Sequence, residues 1–233
     1  MKPSPSRPQL VMAAALAMAT AGMAGVVQWI SPHVFQRFIA GINPVFAFLV
    51  VNALGVALLA VLLAHGWFSI HRTGQLTGRL GAAGVAAFLA SITVLLDLKI
   101  VFPRDLNVAF PLSLLFYPAI GFLVEVVFHL LPLAVILAVL TSRTVSLGSD
   151  RAVWAAIVIV SLLEPAFQVA PMVASPHYPI WAAVFLAGHL VLFNLLQLFV
   201  FRRYDFLAMY TMRLAYYAVW HVAWGHVRLR VLF

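Results

Sequence analysis

Apolar runs of about twenty residues recur along the whole chain, at about 9–30, 44–66, 80–102, 117–141, 151–173, 178–201 and 206–229. A helix rising ~1.5 Å per residue crosses a ~30 Å hydrocarbon core in that length, whereas a barrel strand needs about half of it and alternates in polarity. The runs therefore predict an all-α fold, a polytopic membrane helix bundle of about seven transmembrane helices. Composition agrees, since 65% of the 233 residues are hydrophobic and 9% are charged, with a mean hydropathy of +1.08. The stretch 105–116, "DLNVAFPLSLLF", is too short to span beside its neighbour and reads as an interfacial or re-entrant segment.

The net charge of +8 does not imply nucleic acid, because the basic residues lie between or beside the apolar runs and form no long cluster. Eight of them (Lys2, Arg7, Arg72, Arg79, Arg143, Arg151, Arg202, Arg203) fall at one expected end of the bundle. Five (Arg37, Lys99, Arg104, Arg228, Arg230) fall at the other, which favours a cytoplasmic amino terminus. There is no cysteine, so disulfides and thiolate chemistry are excluded. The first run resembles a secretory signal in its basic flank, but it continues to Ile30 and reads as an uncleaved first helix. The expected location is a bacterial or archaeal-type cell membrane.

Of the six acidic residues, Glu125 and Glu164 sit well inside spans, while Asp97 lies near an end and Asp105, Asp150 and Asp205 fall in loops. A carboxylate inside a membrane is expensive unless it is protonated, paired or facing a polar cavity. Counting residues from the expected outer boundary puts Glu125 and His221 at ~12 Å, Glu164 at ~13 Å, Gln168 at ~8 Å, and His129 and His189 at ~17 Å. One polar layer thus draws on several helices. Glu125 with His129, and Glu164 with Gln168, are i,i+4 pairs on shared faces, and Arg213, Tyr217 and His221 form a similar stripe. Pro132 and Pro165 remove backbone donors to the Phe128 and Ser161 carbonyls, so both glutamate helices should kink beside the layer.

Such pairs can also simply fasten helices together, the reading taken here for Asn52, His189, Asn194 and Gln197. His189 and Asn194 are i,i+5 and diverge by ~140° around a helix. The Glu125, Glu164 and His221 set is read as functional.

From Gly121 onward the chain resembles the CPBP family, the CAAX protease and bacteriocin-processing (ABI) glutamic intramembrane proteases. That family carries Glu-Glu-x-x-x-Arg, Phe-x-x-x-His and His-x-x-x-Asn/Asp motifs on helices of a four-helix core. In "VEVVFH" the second glutamate is Glu125 and the aromatic is Phe128, with Val124 in place of the first glutamate and His129 in place of the arginine. In "SLLEPAFQ" Glu164 stands at the phenylalanine position and Gln168 at the histidine position. In "HVAWG" His221 matches and Gly225 replaces Asn/Asp. The resemblance divides the chain into three amino-terminal membrane helices, 1–104, and a catalytic core of four spans, 105–233.

It implies hydrolysis of a membrane-embedded or membrane-proximal peptide or protein by a glutamate-activated water. Glu125 would be the general base, His221 an oxyanion donor, and Gln168 an amide donor. Glu164 would stand in for the missing carboxylate at 124, and His129 would orient Glu125. No cofactor is implied. A metal held by Glu125, His129, Glu164 and His221 is a rival chemistry, although Glu-x-x-x-His alone is a weak metal signature. An inactive family member acting as a membrane scaffold or binder, and a small proton-coupled transporter, are the alternative functions.

Overall fold

The computed structural model describes residues 6–39, 42–142 and 149–233. Lys2 and Arg143, which entered the charge count above, lie outside the described residues. Three unbroken helices come first: α1 (Ser6–Ile30), α2 (Pro44–Ala64) and α3 (Leu76–Ile100). The next two columns are interrupted. Helix α4 (Ser113–Val124) runs through a π-helical segment (Glu125–Leu130) into α5 (Leu131–Leu140), and α6 (Ser149–Val160) is followed, after a turn at Ser161 and Leu162, by α7 (Leu163–Ala174). Helix α8 (Ile180–Arg203) is continuous, and the last column is α9 (Phe206–Tyr217), a π-helical segment (Ala218–Trp224) and α10 (Gly225–Val231). No strand occurs among the described residues.

Six helices among the described residues are long and apolar enough to cross a membrane: Arg7–Ile30, Pro44–Ala64, Leu76–Ile100, Ser113–Leu140, Asp150–Ala174 and Ile180–Arg203. The chain is a multi-pass integral membrane protein. The seventh expected span, 206–229, forms its helical column but is not among the six; it carries Arg213, Arg228 and Arg230. Residues 113–116, expected in an interfacial or re-entrant segment, open α4 instead.

Local sequence explains most boundaries. Asn43 caps α2 by accepting from the Phe46 amide at 3.2 Å, with Pro44 in the first turn where its missing N–H costs nothing. Asp205 caps α9 through the Ala208 amide at 2.8 Å and also accepts from the Arg72 amide at 2.8 Å and Arg79 at 2.6 Å. Both glutamate helices are interrupted beside the prolines where kinks are expected. Pro132 is the second residue after the π-helical segment, in the first turn of α5, and Pro165 follows the break at Ser161 and Leu162, where the Ser161 carbonyl has lost its helical donor.

Helix α9 packs on α3, α8 and α4, and α1 packs on α2 and α4. Large side chains face outward in many places, as on a lipid-facing surface: Trp29, Phe88 and Phe167 are all exposed. Small residues let backbones approach. A Cβ on Gly55 would lie 2.6 Å from Val126, and one on Gly121 would lie 3.2 Å from the Tyr217 ring. Asn52 fastens α2 to α1 by donating to the Ala17 carbonyl at 2.7 Å and to Thr20 at 3.2 Å.

Asp97 and Arg228 were placed at span ends by the sequence, but both are fully buried against each other. Arg228 donates to Asp97 at 2.7 and 3.0 Å and to the Phe102 and Pro103 carbonyls at 2.7 and 3.0 Å, while Trp224 donates to Asp97 at 2.6 Å. The segment after α3 is thereby pinned to the last column. Asn107 extends this tie by donating to the Trp220 and His221 carbonyls at 3.3 Å each. Those carbonyls belong to the π-helical segment, whose own ladder is loosened there.

Candidate functional site

Both glutamates are buried and meet on one cation, Arg213, which α9 supplies. Arg213 Nη1 and Nη2 fork onto Glu164 Oε1 and Oε2 at 3.0 and 2.8 Å, and Nε donates to Glu125 Oε1. The remaining N–H groups reach Gln197 Oε1 at 3.1 Å and the Tyr217 hydroxyl at 3.3 Å. All five guanidinium donors are therefore engaged, the condition under which an arginine is tolerated inside a membrane bundle. Gln197 closes the ring by donating to Glu125 Oε1.

Each glutamate keeps its neighbour from the sequence. His129 Nδ1 donates to Glu125 Oε2 at 2.7 Å, and Gln168 donates to Glu164 Oε1 at 2.7 Å. His129 lies between the carboxylates, with Nε2 3.8 Å from Glu164 Oε2 and no hydrogen-bond partner. The i,i+4 pairs from α4/α5 and α7 are thus joined through Arg213 into one network, with α8 contributing Gln197.

A cavity of about 350 Å³ lies beside this network, bounded by α3, α7, α8, the last column and the pinned segment after α3. Its polar wall holds Glu164, Gln168, Arg213, Tyr217 and His221, and Phe102, Leu190, Phe193 and Trp220 supply apolar surface. Glu125 does not line it. At the far wall Thr93 binds the Tyr216 hydroxyl at 2.6 Å and His189 Nε2 at 3.1 Å, tying α3, α8 and α9 together. That volume falls in the range of small-ligand sites.

His221 does not join the carboxylates. Its ring stacks on Tyr117 at 4.5 Å and meets Tyr217 edge-on at 5.0 Å, and its buried Nδ1 has no hydrogen-bond partner. His221 shares the cavity wall with Glu164, as the depth count grouped them, but has no hydrogen bond to either carboxylate. Phe128 is half-buried and packs against Phe167 at 5.3 Å, outside the cavity lining. Gly225 has a packing role: Asn107 occupies the space that a Cβ would need. Among the described residues no three histidine or acidic side chains are grouped to hold a metal ion. Between the two carboxylates the cation is Arg213.

Sequence reasoning missed two members. Gln197 was read as a helix fastener, and Arg213 was noted only in a stripe. The signal available for Arg213 was its depth: an arginine well inside an apolar span requires carboxylate partners, and only two carboxylates lay as deep.

No family model, no curated protein and no solved structure matches this chain.

Proposed function

We propose that the chain is an intramembrane peptide hydrolase in which Glu164 activates the water. One observation carries this reading: Glu164, Gln168 and His221 line a single cavity within the bundle, and Glu125 stands behind Arg213 outside it. The motif order from Gly121 onward, which resembles that of the glutamic intramembrane proteases, supports it, with the base moved from Glu125 to Glu164.

In this mechanism a peptide carbonyl enters the cavity from the bilayer or from the adjoining surface. Glu164 Oε2 accepts one hydrogen bond, from Arg213, which leaves it a second acceptor site for a water proton. As that proton transfers, the water oxygen bonds to the carbonyl carbon. The free N–H of the Gln168 amide and the His221 ring donate to the oxyanion. Glu164 then returns the proton to the leaving amine as the C–N bond breaks. Glu125 and His129 act as positioning residues that fix Arg213 and, through it, Glu164.

Incubation of purified protein with a library of membrane-peptide substrates tests the reading. Glu164→Gln should lower cleavage by about 10²–10⁴-fold, the usual contribution of a general base. Identical product profiles from wild type and Glu164→Gln would reject it.

A proton-coupled carrier is the second reading, favoured by the helix interruptions beside Glu125, Glu164 and His221, since carriers place such breaks at their ion sites. Proton-dependent uptake into vesicles that is lost in Glu164→Gln, without peptide cleavage, would select it.

A further inference from the structure

At the arginine-rich end of the bundle, away from the cavity above, a second recess of about 360 Å³ is lined by Arg72, Trp154, Phe199, Arg202 and Arg203. We infer that this recess binds the phosphate headgroup of an anionic phospholipid, with the lipid's glycerol and upper chains resting on Trp154 and Phe199.

Three guanidiniums converge there from two elements, the loop after α2 and the end of α8. Arg72 is drawn to Arg203 by a hydrogen bond to its carbonyl at 3.4 Å, and Arg202 is anchored to the Trp67 carbonyl at 2.7 Å. The nearby carboxylate, Asp150, is 83% exposed in its side chain and pairs with Arg202 at 3.0 Å. Neither Arg72 nor Arg203 has a carboxylate partner for its side chain among the described residues. Two of the three guanidiniums thus stay unneutralised by a carboxylate, since Asp150 pairs with Arg202 and Asp205 takes the Arg72 backbone amide while its ion pairs are with Arg79 and His71.

The apolar half of the recess fixes the kind of anion. Trp154 and Phe199 stack at 6.1 Å and are both exposed on the outer surface of the helices. Phe199 precedes Arg202 and Arg203 by three and four residues on α8, so its ring starts ~4.5–6 Å deeper along the helix axis than the guanidiniums. A soluble phosphate has no use for a lipid-facing aromatic pair one turn below its charge. A phospholipid matches both levels, and basic recesses between membrane helices are suited to such headgroups.

The test uses full-length protein stripped of lipid in a neutral detergent, with binding followed by thermal shift and native mass spectrometry. Phosphatidylglycerol, phosphatidylcholine, glycerol phosphate and inorganic phosphate are titrated separately. Phosphatidylglycerol should bind preferentially, with affinity falling about fivefold in Arg203→Gln and about twenty-fivefold in the double variant Arg72→Gln/Arg203→Gln. Arg230→Gln, at an exposed arginine on the last helix, should bind as wild type does. Unfolding temperatures measured without lipid separate loss of binding from loss of fold, and Arg203→Gln breaks no described ion pair. Equal affinity in wild type and Arg203→Gln overturns the proposal. So does equal retention of phosphatidylcholine, and so does inorganic phosphate that competes as well as the lipid, which would mark a free-anion site.

Discussion

Arg213 forks onto Glu164 at 3.0 and 2.8 Å while its Nε donates to Glu125, so one guanidinium joins α9 to the columns carrying both buried acids. Removing the cation leaves two desolvated carboxylates in the bundle. Arg213→Met should therefore destabilise the protein by about 3–5 kcal/mol, the range for breaking a buried ion pair from one side. Unfolding in detergent measures it, and the triple variant with Glu125→Met and Glu164→Leu should recover much of the loss.

Asn52→Leu supplies the contrast. Asn52 makes two hydrogen bonds to α1, and its Oδ1 has no partner. Interhelical hydrogen bonds of this kind average about 0.6 kcal/mol, so the variant should lose under about 1 kcal/mol in the same assay. A loss equal to that of Arg213→Met would show that the charge network has no special weight.

How the sequence revealed one part and hid the other follows from spacing. Glu125 with His129, and Glu164 with Gln168, are one helical turn apart, so periodicity alone put each pair on one face and the structure retains both bonds. Arg213 is 88 residues from Glu125 and 49 from Glu164, and no local rule connects them. Depth counting supplied one coordinate of three. It grouped His221 with the glutamates, and His221 does share a cavity with Glu164, but its ring packs on Tyr117 and Tyr217 with no bond to either carboxylate. The burial of Asp97 and Arg228 was hidden because each sits near a span end, where charges usually face water.

Gly225→Ala tests the contact that gives this glycine its place. An added methyl must displace Asn107, which bonds two carbonyls of the π-helical segment. The cost should be about 1–3 kcal/mol, as for other overpacked positions. Because the two residues touch, the double variant with Asn107→Ala should be non-additive, and simple additivity would remove the contact from the account.

Asp97→Asn should loosen the segment that Arg228 holds through the Phe102 and Pro103 carbonyls. Hydrogen exchange in residues 101–107 should quicken relative to α8, because the ion pair pins that segment. Unchanged exchange there would mean that the carbonyl bonds of Arg228 hold it without the aspartate.

Glu125→Gln and Glu164→Gln should separate in activity. Under the proposed mechanism Glu125 positions Arg213, so its amide variant should keep more cleavage than Glu164→Gln, whose loss should reach about 10²-fold or more. Equal loss in both, with unfolding temperatures intact, would return the base to Glu125.

The π-helical turns at Glu125–Leu130 and Ala218–Trp224 shift the side-chain register of the columns that contain them. A π turn holds one residue more than an α turn, so side chains beyond it are rotated from where an unbroken α-helix would carry them, by about the 100° that one residue spans. Counting in steps of four from Arg213 and Tyr217 therefore runs out of step across residues 218–224, the segment that carries His221.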